Sequence, residues 1–295
     1  GLYKTDSTFY ALANNHGLMV KDLISGKEKL VQFRNPATRQ LLNFERLTTI
    51  EADSLGKLWF ASGGNIENND VSHLISYNPK TQHSEIHPVT APISAVQMGS
   101  SPDLWVAHVV NETSQLITRY DVRNSRMVEA WDLPENVSRI NDIFPQDSNS
   151  LLLATDVGLY NFDLLQNTIH RIELHSNSQI QSTIFSIFKY DGKFFLAGRD
   201  GLFIYTPGQS AVNHISMADG LRNNIITAVF RENKDKYWLG TFYGVTLLNL
   251  KQNLILNYSV RDGLPENEFN LNSYFQDNSG FYLGYPDGVI KLDLR

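Results

Sequence analysis

The sequence predicts an all-β fold: a seven-bladed β-propeller of four-stranded antiparallel blades, the last blade incomplete, forming a single domain over residues 1–295. Three observations carry this reading. First, a strand, a tight turn and a second strand recur along the chain, as KYWLGTFYGVTLLN at 236–249, FFLAGRDGLFIY at 194–205, LLLATDVGLYNF at 151–162 and FYLGYPDGVIKL at 281–292. A fainter copy is YALANNHGLMVK at 10–21, and LWFAS at 58–62 and LWVAH at 104–108 keep the first strand ahead of longer turns. Second, the aligned copies share a column reading Ala11, Trp59, Trp105, Leu152, Phe195, Trp238 and Tyr282, with steps of 48, 46, 47, 43, 43 and 44 residues. A period of roughly 40–50 residues with about four strands per unit is the signature of a propeller. Third, two residues further on stand Ala13, Ala61, Ala107, Ala154, Ala197, Gly240 and Gly284, every one small. Alternate residues of a blade's second strand face the neighbouring blade, and where the sheets converge no large side chain fits.

The elements follow in order from turn residues and period-2 alternation. Unit one has strands near 2–5, 8–13, 17–22 and 28–33, and unit two near 46–51, 57–62, 72–78 and 83–87. Units three and four take 93–98, 103–108, 115–121 and 126–132, then 139–144, 151–155, 158–163 and 168–174. Units five and six take 183–189, 193–198, 201–205 and 211–215, then 225–231, 236–241, 244–249 and 254–259. Unit seven has 270–275, 280–284 and 288–293, with no fourth strand before the chain stops. Gly1–Thr5 reads better as the first strand of unit one than as the missing outer strand of unit seven. Both ends read as cut from a longer polypeptide. No helix is expected in the middle of the chain.

Composition narrows the function classes. The chain is 42% hydrophobic, enough for a large core, and carries a net charge of −6 with no basic run. Nucleic acid and anionic membrane both require concentrated Lys and Arg, so neither is an expected partner. The absence of cysteine removes disulfides, thiol catalysis and thiolate metal sites. No apolar run approaches the 18 or so residues that span a bilayer, and the opening residues do not read as a signal peptide.

Units five to seven add more specific residues. ADGLRNNIITAVFRENKDKYWLGTFYGVTLLN (218–249) and RDGLPENEFNLNSYFQDNSGFYLGYPDGVIKLD (261–293) share a DGL turn, an Asn soon after, a strand, an acidic turn, an aromatic-initiated strand, a glycine and a short strand. The DGL turns are Asp219–Leu221 and Asp262–Leu264; Asn223, Asn224, Asn267 and Asn270 follow them, and DSLGKLWFAS at 53–62 matches the later portion. This pattern resembles the two-component regulator propeller repeats, closely in two units and partly in two or three more. The resemblance implies a periplasmic, extracytoplasmic sensor region of a membrane-bound signalling protein. Hybrid histidine kinases are the commonest hosts and diguanylate cyclases occasional ones, with the output domain outside this chain. It further implies a second propeller or a stalk domain in the same polypeptide, a homodimer in the full-length protein, and for some members an oligosaccharide ligand. In mechanical terms, the Asp of a DGL turn caps backbone amides, the Gly takes positive φ and the Leu plugs the interface between blades.

Catalytic groupings are sought and not found. His83 and His87 lie four apart on a strand, about 13 Å, too far to chelate one ion, and read as surface histidines. The loop NIENND (65–70) lacks the alternating carboxylates of a calcium hand, and GGN precedes no helix. Asp53-x-x-Gly56 and Asp277-x-x-Gly280 depart from the Asp-x-Gly turn of sialidase propellers. The chain is therefore expected to be no enzyme and to need neither cofactor nor metal. A propeller lyase or hydrolase with a His base is the least favoured alternative, and a scaffold for protein assembly the nearer one.

In propellers the turns joining second to third strands share one face with the links between blades. The first class offers His16, Asn65, Glu67, Asn111, Asp156, Arg199, Asp200, Tyr243, Tyr285 and Asp287, and the second Arg222, Asn223, Asn224, Glu266 and Asn267. Arg199, Tyr243, Tyr285, His16, Arg222 and Asn224 are the candidate ligand-binding residues. Phe242, Tyr243 and Tyr285 are expected to cluster beside Arg199, where aromatic faces and planar donors suit a small molecule such as a sugar ring.

Overall fold

The computed structural model describes residues 1–295 except 14–15, 43–45, 64–71, 88, 90, 101, 112, 175–181, 210 and 294–295. The described residues form seven antiparallel sheets, and the fold class is the seven-bladed β-propeller. The first sheet is β1 (Leu2–Lys4), β2 (Thr8–Ala13), β3 (Gly17–Asp22) and β4 (Glu28–Val31). The second has β5 (Arg46–Leu47), β6 (Glu51–Ala52), β7 (Leu58–Gly63), β8 (His73–Asn78) and β9 (His83–His87). The third has β10 (Ile93–Met98), β11 (Asp103–Val109), β12 (Gln115–Asp121) and β13 (Arg126–Asp132). The fourth has β14 (Ile140–Pro145), β15 (Ser150–Thr155), β16 (Gly158–Asp163) and β17 (Thr168–Ile172). The fifth has β18 (Ile184–Tyr190), β19 (Lys193–Gly198), β20 (Leu202–Tyr205) and β21 (Asn213–Ile215). The sixth has β22 (Ile226–Arg231), β23 (Lys236–Thr241), β24 (Gly244–Asn249) and β25 (Leu254–Tyr258). The seventh has three strands: β26 (Tyr274–Asp277), β27 (Gly280–Tyr285) and β28 (Gly288–Asp293). The chain divides into two compact units: Gly1–Leu153 with Phe162–Ile169, and Ala154–Asn161 with His170–Arg295.

In the first unit β1 pairs with β2, Leu2 opposite Ala11, so the N-terminal segment is the first strand of sheet one as expected. Its core joins Tyr10, Leu12 and Leu18 of sheet one to Leu58, Phe60, Ile75 and Tyr77 of sheet two. One departure from the sequence reading lies here. The first strand of sheet two is not continuous over 46–51: β5 and β6 each pair with β7 and are separated by Thr48–Ile50. The break has a hydrogen-bonding cause. Thr48 turns its hydroxyl to the Ala61 N–H at 2.9 Å, and the Thr49 hydroxyl donates to the Val96 carbonyl at 3.0 Å.

In the second unit the first strands carry a bulge at the same place, between Ile184 and Ser186 and between Ile226 and Ala228. Such an extra residue sharpens the twist of a strand. In sheet seven the first strand is instead shortened. The expected strand 270–275 begins only at Tyr274, because Asn272 is left-handed (φ 56°) and the Asn270 N–H and Ser273 carbonyl bind Gly284 across the gap.

The small column has the expected cause. A Cβ added at Gly240 would stand 2.9 Å from Leu283 Cδ2 of the next sheet, and one at Gly284 would strike the Ser273 hydroxyl. Ala61, Ala107, Ala154 and Ala197 are wholly buried. The aromatic column has a cause that the sequence did not disclose. The Trp59 indole N–H donates to Asp53 Oδ2 at 3.0 Å, and Trp238 donates to Glu232 Oε2 at 2.8 Å, each carboxylate standing six residues earlier. In sheet seven the Tyr282 hydroxyl meets Ser279 Oγ at 2.8 Å, and that hydroxyl binds Asp277 at 2.7 Å. The acidic turn thus anchors the ring that opens the next strand.

Among the described residues, one-turn 3-10 helices at Met217–Asp219 and Val260–Asp262 qualify the all-strand expectation, and both open the DGL turns. The two turns are copies forty-three residues apart. Asp219 Oδ2 accepts from the Ser216 N–H at 2.9 Å, and Asp262 Oδ2 from Ser259 at 2.8 Å. Gly220 and Gly263 follow in the left-handed region. Leu221 is buried among Phe195, Ile226 and Leu239, bridging sheets five and six, while Leu264 packs with Phe230, Phe269 and Phe281.

Gly244 closes the turn between β23 and β24 at φ 92°, and a Cβ there would lie on the Tyr258 carbonyl oxygen. Gly244→Ala is expected to lower stability by more than about 2 kcal/mol. Urea denaturation with an unchanged m-value would confirm the local origin, and wild-type stability would refute it.

Candidate functional site

The sequence candidates fall in both units. His16 lies in the first, exposed in the turn between β2 and β3. Arg199, Arg222, Asn224, Tyr243 and Tyr285 lie in the second. Two of these are brought into contact. The Arg222 guanidinium, on the link from sheet five to sheet six, lies over the Tyr243 ring at 4.6 Å from its centroid. Tyr243 is 39% exposed, in the turn between β23 and β24, so the stacked pair forms a flat, cationic-edged surface patch.

Both ends of the pair are held by the backbone. The Tyr243 N–H donates to Thr241 Oγ1 at 2.9 Å, and the neighbouring Gly244 N–H donates to the Asn267 carbonyl at 2.6 Å. The Arg222 N–H donates to Asn257 Oδ1 at 3.2 Å. Asn257 is the organising side chain: its Oδ1 also accepts from Thr246 Oγ1 at 2.8 Å, and its Nδ2 donates to the Gly220 carbonyl at 2.9 Å. The sequence reading missed Asn257, which sits in the outer strand β25 with no motif around it.

Between Arg199 and Tyr243 the described residues show no hydrogen bond, ion pair or cation–ring contact. Arg199 follows β19, exposed, with its N–H on the Thr183 carbonyl; its side chain has no hydrogen-bond or ion-pair partner among the described residues. Tyr285 ends β27 half-buried, its ring over Gly288 and packed on the sheet six–seven core. Asn224 serves the turn, its Oδ1 accepting from the Met217 N–H at 2.7 Å, as Asn267 does for Val260 at 3.0 Å. Asn65 and Glu67, with the whole of 65–70, lie outside the described residues.

His87 corrects an expectation. His83 is exposed, but His87 is buried, stacked on Trp59 with centroids 5.0 Å apart. Its Nε2 lies 3.0 Å from Ser76 Oγ and its Nδ1 2.9 Å from the Tyr120 hydroxyl. The burying partner Tyr120 comes from sheet three, which no periodicity within β9 discloses. Burial holds the His87 and His108 imidazoles below the usual value, so both are neutral near pH 7.

Glu51 in β6 was also missed. Burial pushes its carboxyl up to about 8, opposed by the Met98 N–H at 3.1 Å and reinforced by the Asp142 charge. Gln97 Nε2 binds the same oxygen at 3.2 Å. Among the described residues there is no group of three His, Cys, Asp or Glu that could hold a metal ion, and no helix is long and apolar enough to cross a membrane.

The comparisons with known proteins bear on the fold. No family model matches the chain. "Histidine kinase P4" of Formosa agariphila is 24% identical over 187 residues, covering 59% of this chain and 14% of that protein. Two solved structures from B. thetaiotaomicron, the extracellular domains of the putative hybrid two-component systems BT3049 and BT4673, match with TM-scores of 0.72 and 0.71. The chain is similar in fold to the extracellular domains of hybrid two-component systems. Each of the two is 15% identical, covering 98% of this chain and 39% of the other. The AfRom2 CNH domain matches at 0.67 with 11% identity, covering 99% of this chain and 93% of that one. The chain thus spans about two fifths of the two sensor-type structures and a smaller share of the curated relative.

Two outcomes check the site's mechanics. Asn257→Ala is expected to cost about 1–2 kcal/mol in urea denaturation, whereas Tyr243→Ala stays within about 0.5 kcal/mol because its ring is a surface feature. For Glu51 the folded value lies above the unfolded one, so its contribution is intact below about pH 4.5 and erodes as pH rises toward 8. Glu51→Gln removes that erosion. The variant should gain on the order of 3 kcal/mol over the parent near pH 7 and nothing at pH 4, as read from melting curves across that range.

Proposed function

We propose that this chain is the extracytoplasmic, ligand-binding propeller of a membrane-bound bacterial signalling protein of the hybrid histidine kinase type, working in the periplasm. It catalyses nothing itself; the kinase or cyclase output belongs to other domains of the same polypeptide. The similarity to extracellular domains of two-component systems and to a histidine kinase supports the sensor reading. A second propeller or stalk, and a homodimer of the whole protein, are the partners that this architecture calls for.

The observation that carries ligand binding is the Arg222–Tyr243 stack on two hydrogen-bonded turns. An exposed aromatic face beside cationic and amide donors suits the C–H face and hydroxyl rim of a sugar ring, so an oligosaccharide is the favoured ligand. Arg199, with its side chain unengaged among the described residues, would supply a further donor from the preceding sheet. Titration calorimetry of a glycan panel tests this. Tyr243→Ala and Arg199→Ala should each weaken the bound glycan roughly two- to tenfold at unchanged fold stability. Equal affinity in both variants would move the site elsewhere, and no binding across the panel would favour the scaffold reading.

A further inference from the structure

The first unit holds a crevice of about 260 Å³ between sheets two and three. Its wall is mainly carbon, from Leu74, Val89, Val106 and the exposed Met127 at the rim. Two histidines, a threonine, a tyrosine and, at the exposed rim, Ser125 also line it; the polar atoms of the buried four are engaged within the wall, and Ser125 bonds Tyr120. His108 Nδ1 donates to the Ala91 carbonyl at 3.2 Å, which leaves Nε2 to accept from Thr118 Oγ1 at 2.9 Å. His87 lies between Ser76 and the Tyr120 hydroxyl, and the Ser76 hydroxyl continues to Glu85 Oε2 at 3.4 Å. Thr118 and Tyr120 stand two apart on β12, so one face of one strand fixes both imidazoles. With these groups mutually satisfied, the wall offers an occupant carbon surface rather than hydrogen bonds.

That chemistry excludes a sugar and selects an apolar body. A polyhydroxylated ligand would have to leave its hydroxyls unpaired inside, at a heavy desolvation cost. An apolar cavity of about 150 Å³ already takes benzene in another protein, and drug-sized ligands occupy about 300 Å³ or more. A void of this size and lining therefore fits one or two rings, or a branched chain. One charge is available at the rim: Arg126, exposed, opposite Asp121 across β12 and β13 and with no ion pair within 4 Å among the described residues.

We propose that this crevice is a lateral binding site for a small aromatic or branched-chain carboxylic acid, its carbon body between the sheets and its carboxylate on Arg126. The walls are preorganised, since Trp59 backs His87 and Tyr120 at 5.0 and 5.6 Å and is itself wholly buried. The occupant relieves the packing that an empty apolar void forfeits. The site is independent of the Arg222–Tyr243 patch, and either can fail without the other.

The test uses the whole chain and an aromatic anion, 1-anilinonaphthalene-8-sulfonate, with N-phenyl-1-naphthylamine as its uncharged analogue. Both should bind the folded chain saturably, one per chain, with bound-probe fluorescence lost in the cooperative melt. Arg126→Gln should weaken the anion about two- to fivefold and leave the uncharged probe unchanged. Val106→Phe fills the void and should abolish both. Should that variant not fold, Met127→Trp at the exposed rim closes the mouth without touching the core and should reduce both at least tenfold. Uptake that never saturates, or saturable binding that survives in the folded filled or closed variant, overturns the proposal. Equal loss of both probes in Arg126→Gln overturns the carboxylate's placement.

Discussion

Everything in this fold depends on how closely one sheet approaches the next. At Gly240 the Leu283 methyl of the following sheet stands 2.9 Å from where a Cβ would go, and Ala61, Ala107, Ala154 and Ala197 of the same column have no exposed surface. Interiors are packed to crystal-like density, so a sheet pair at that separation can be stabilised only by large side chains elsewhere. The aromatic column two residues earlier supplies them. Its rings are fixed in two sheets by a carboxylate six residues back, and in a third by a serine relay. Small and large columns are therefore two halves of one constraint.

The DGL turn is the second consequence of that spacing. Sheets that lie so close need a link that crosses from the outer strand of one to the inner strand of the next without unsatisfied backbone groups. Ser216, Asp219 and Asn224 satisfy those groups locally, as do Ser259, Asp262 and Asn267, while Leu221 and Leu264 enter the seam. The repeat motif is thus a structural device. The surface residues beside it, Arg222 and Tyr243, are the ones left with apolar and charged area to offer.

What the sequence disclosed divides along the same line. Strand order, the small column and the DGL turns were legible because each is encoded within about ten residues by alternation, by size or by a turn residue. The late start of β26 was not, because it hangs on Asn272 adopting a conformation that Asn merely tolerates. Nor was the split of β5 from β6, which depends on hydroxyls of Thr48 and Thr49 reaching Ala61 and Val96. His87 read as a surface residue because nothing within β9 marks it as covered; its cover comes from Tyr120 in another sheet. For the site, Arg222 and Tyr243 were named from the sequence, but their stacking and the role of Asn257 are products of three segments meeting.

The self-contained turns carry a kinetic corollary. Hydrogen bonds that close over three to seven residues, and strands that almost all pair with their immediate predecessor in the chain, keep contact order low for an all-β protein. The entropy of closing each loop is then small and nearly the same from sheet to sheet. Such a polypeptide can acquire its structure one sheet at a time, each completed hairpin stack templating its successor, rather than waiting for distant segments to find one another.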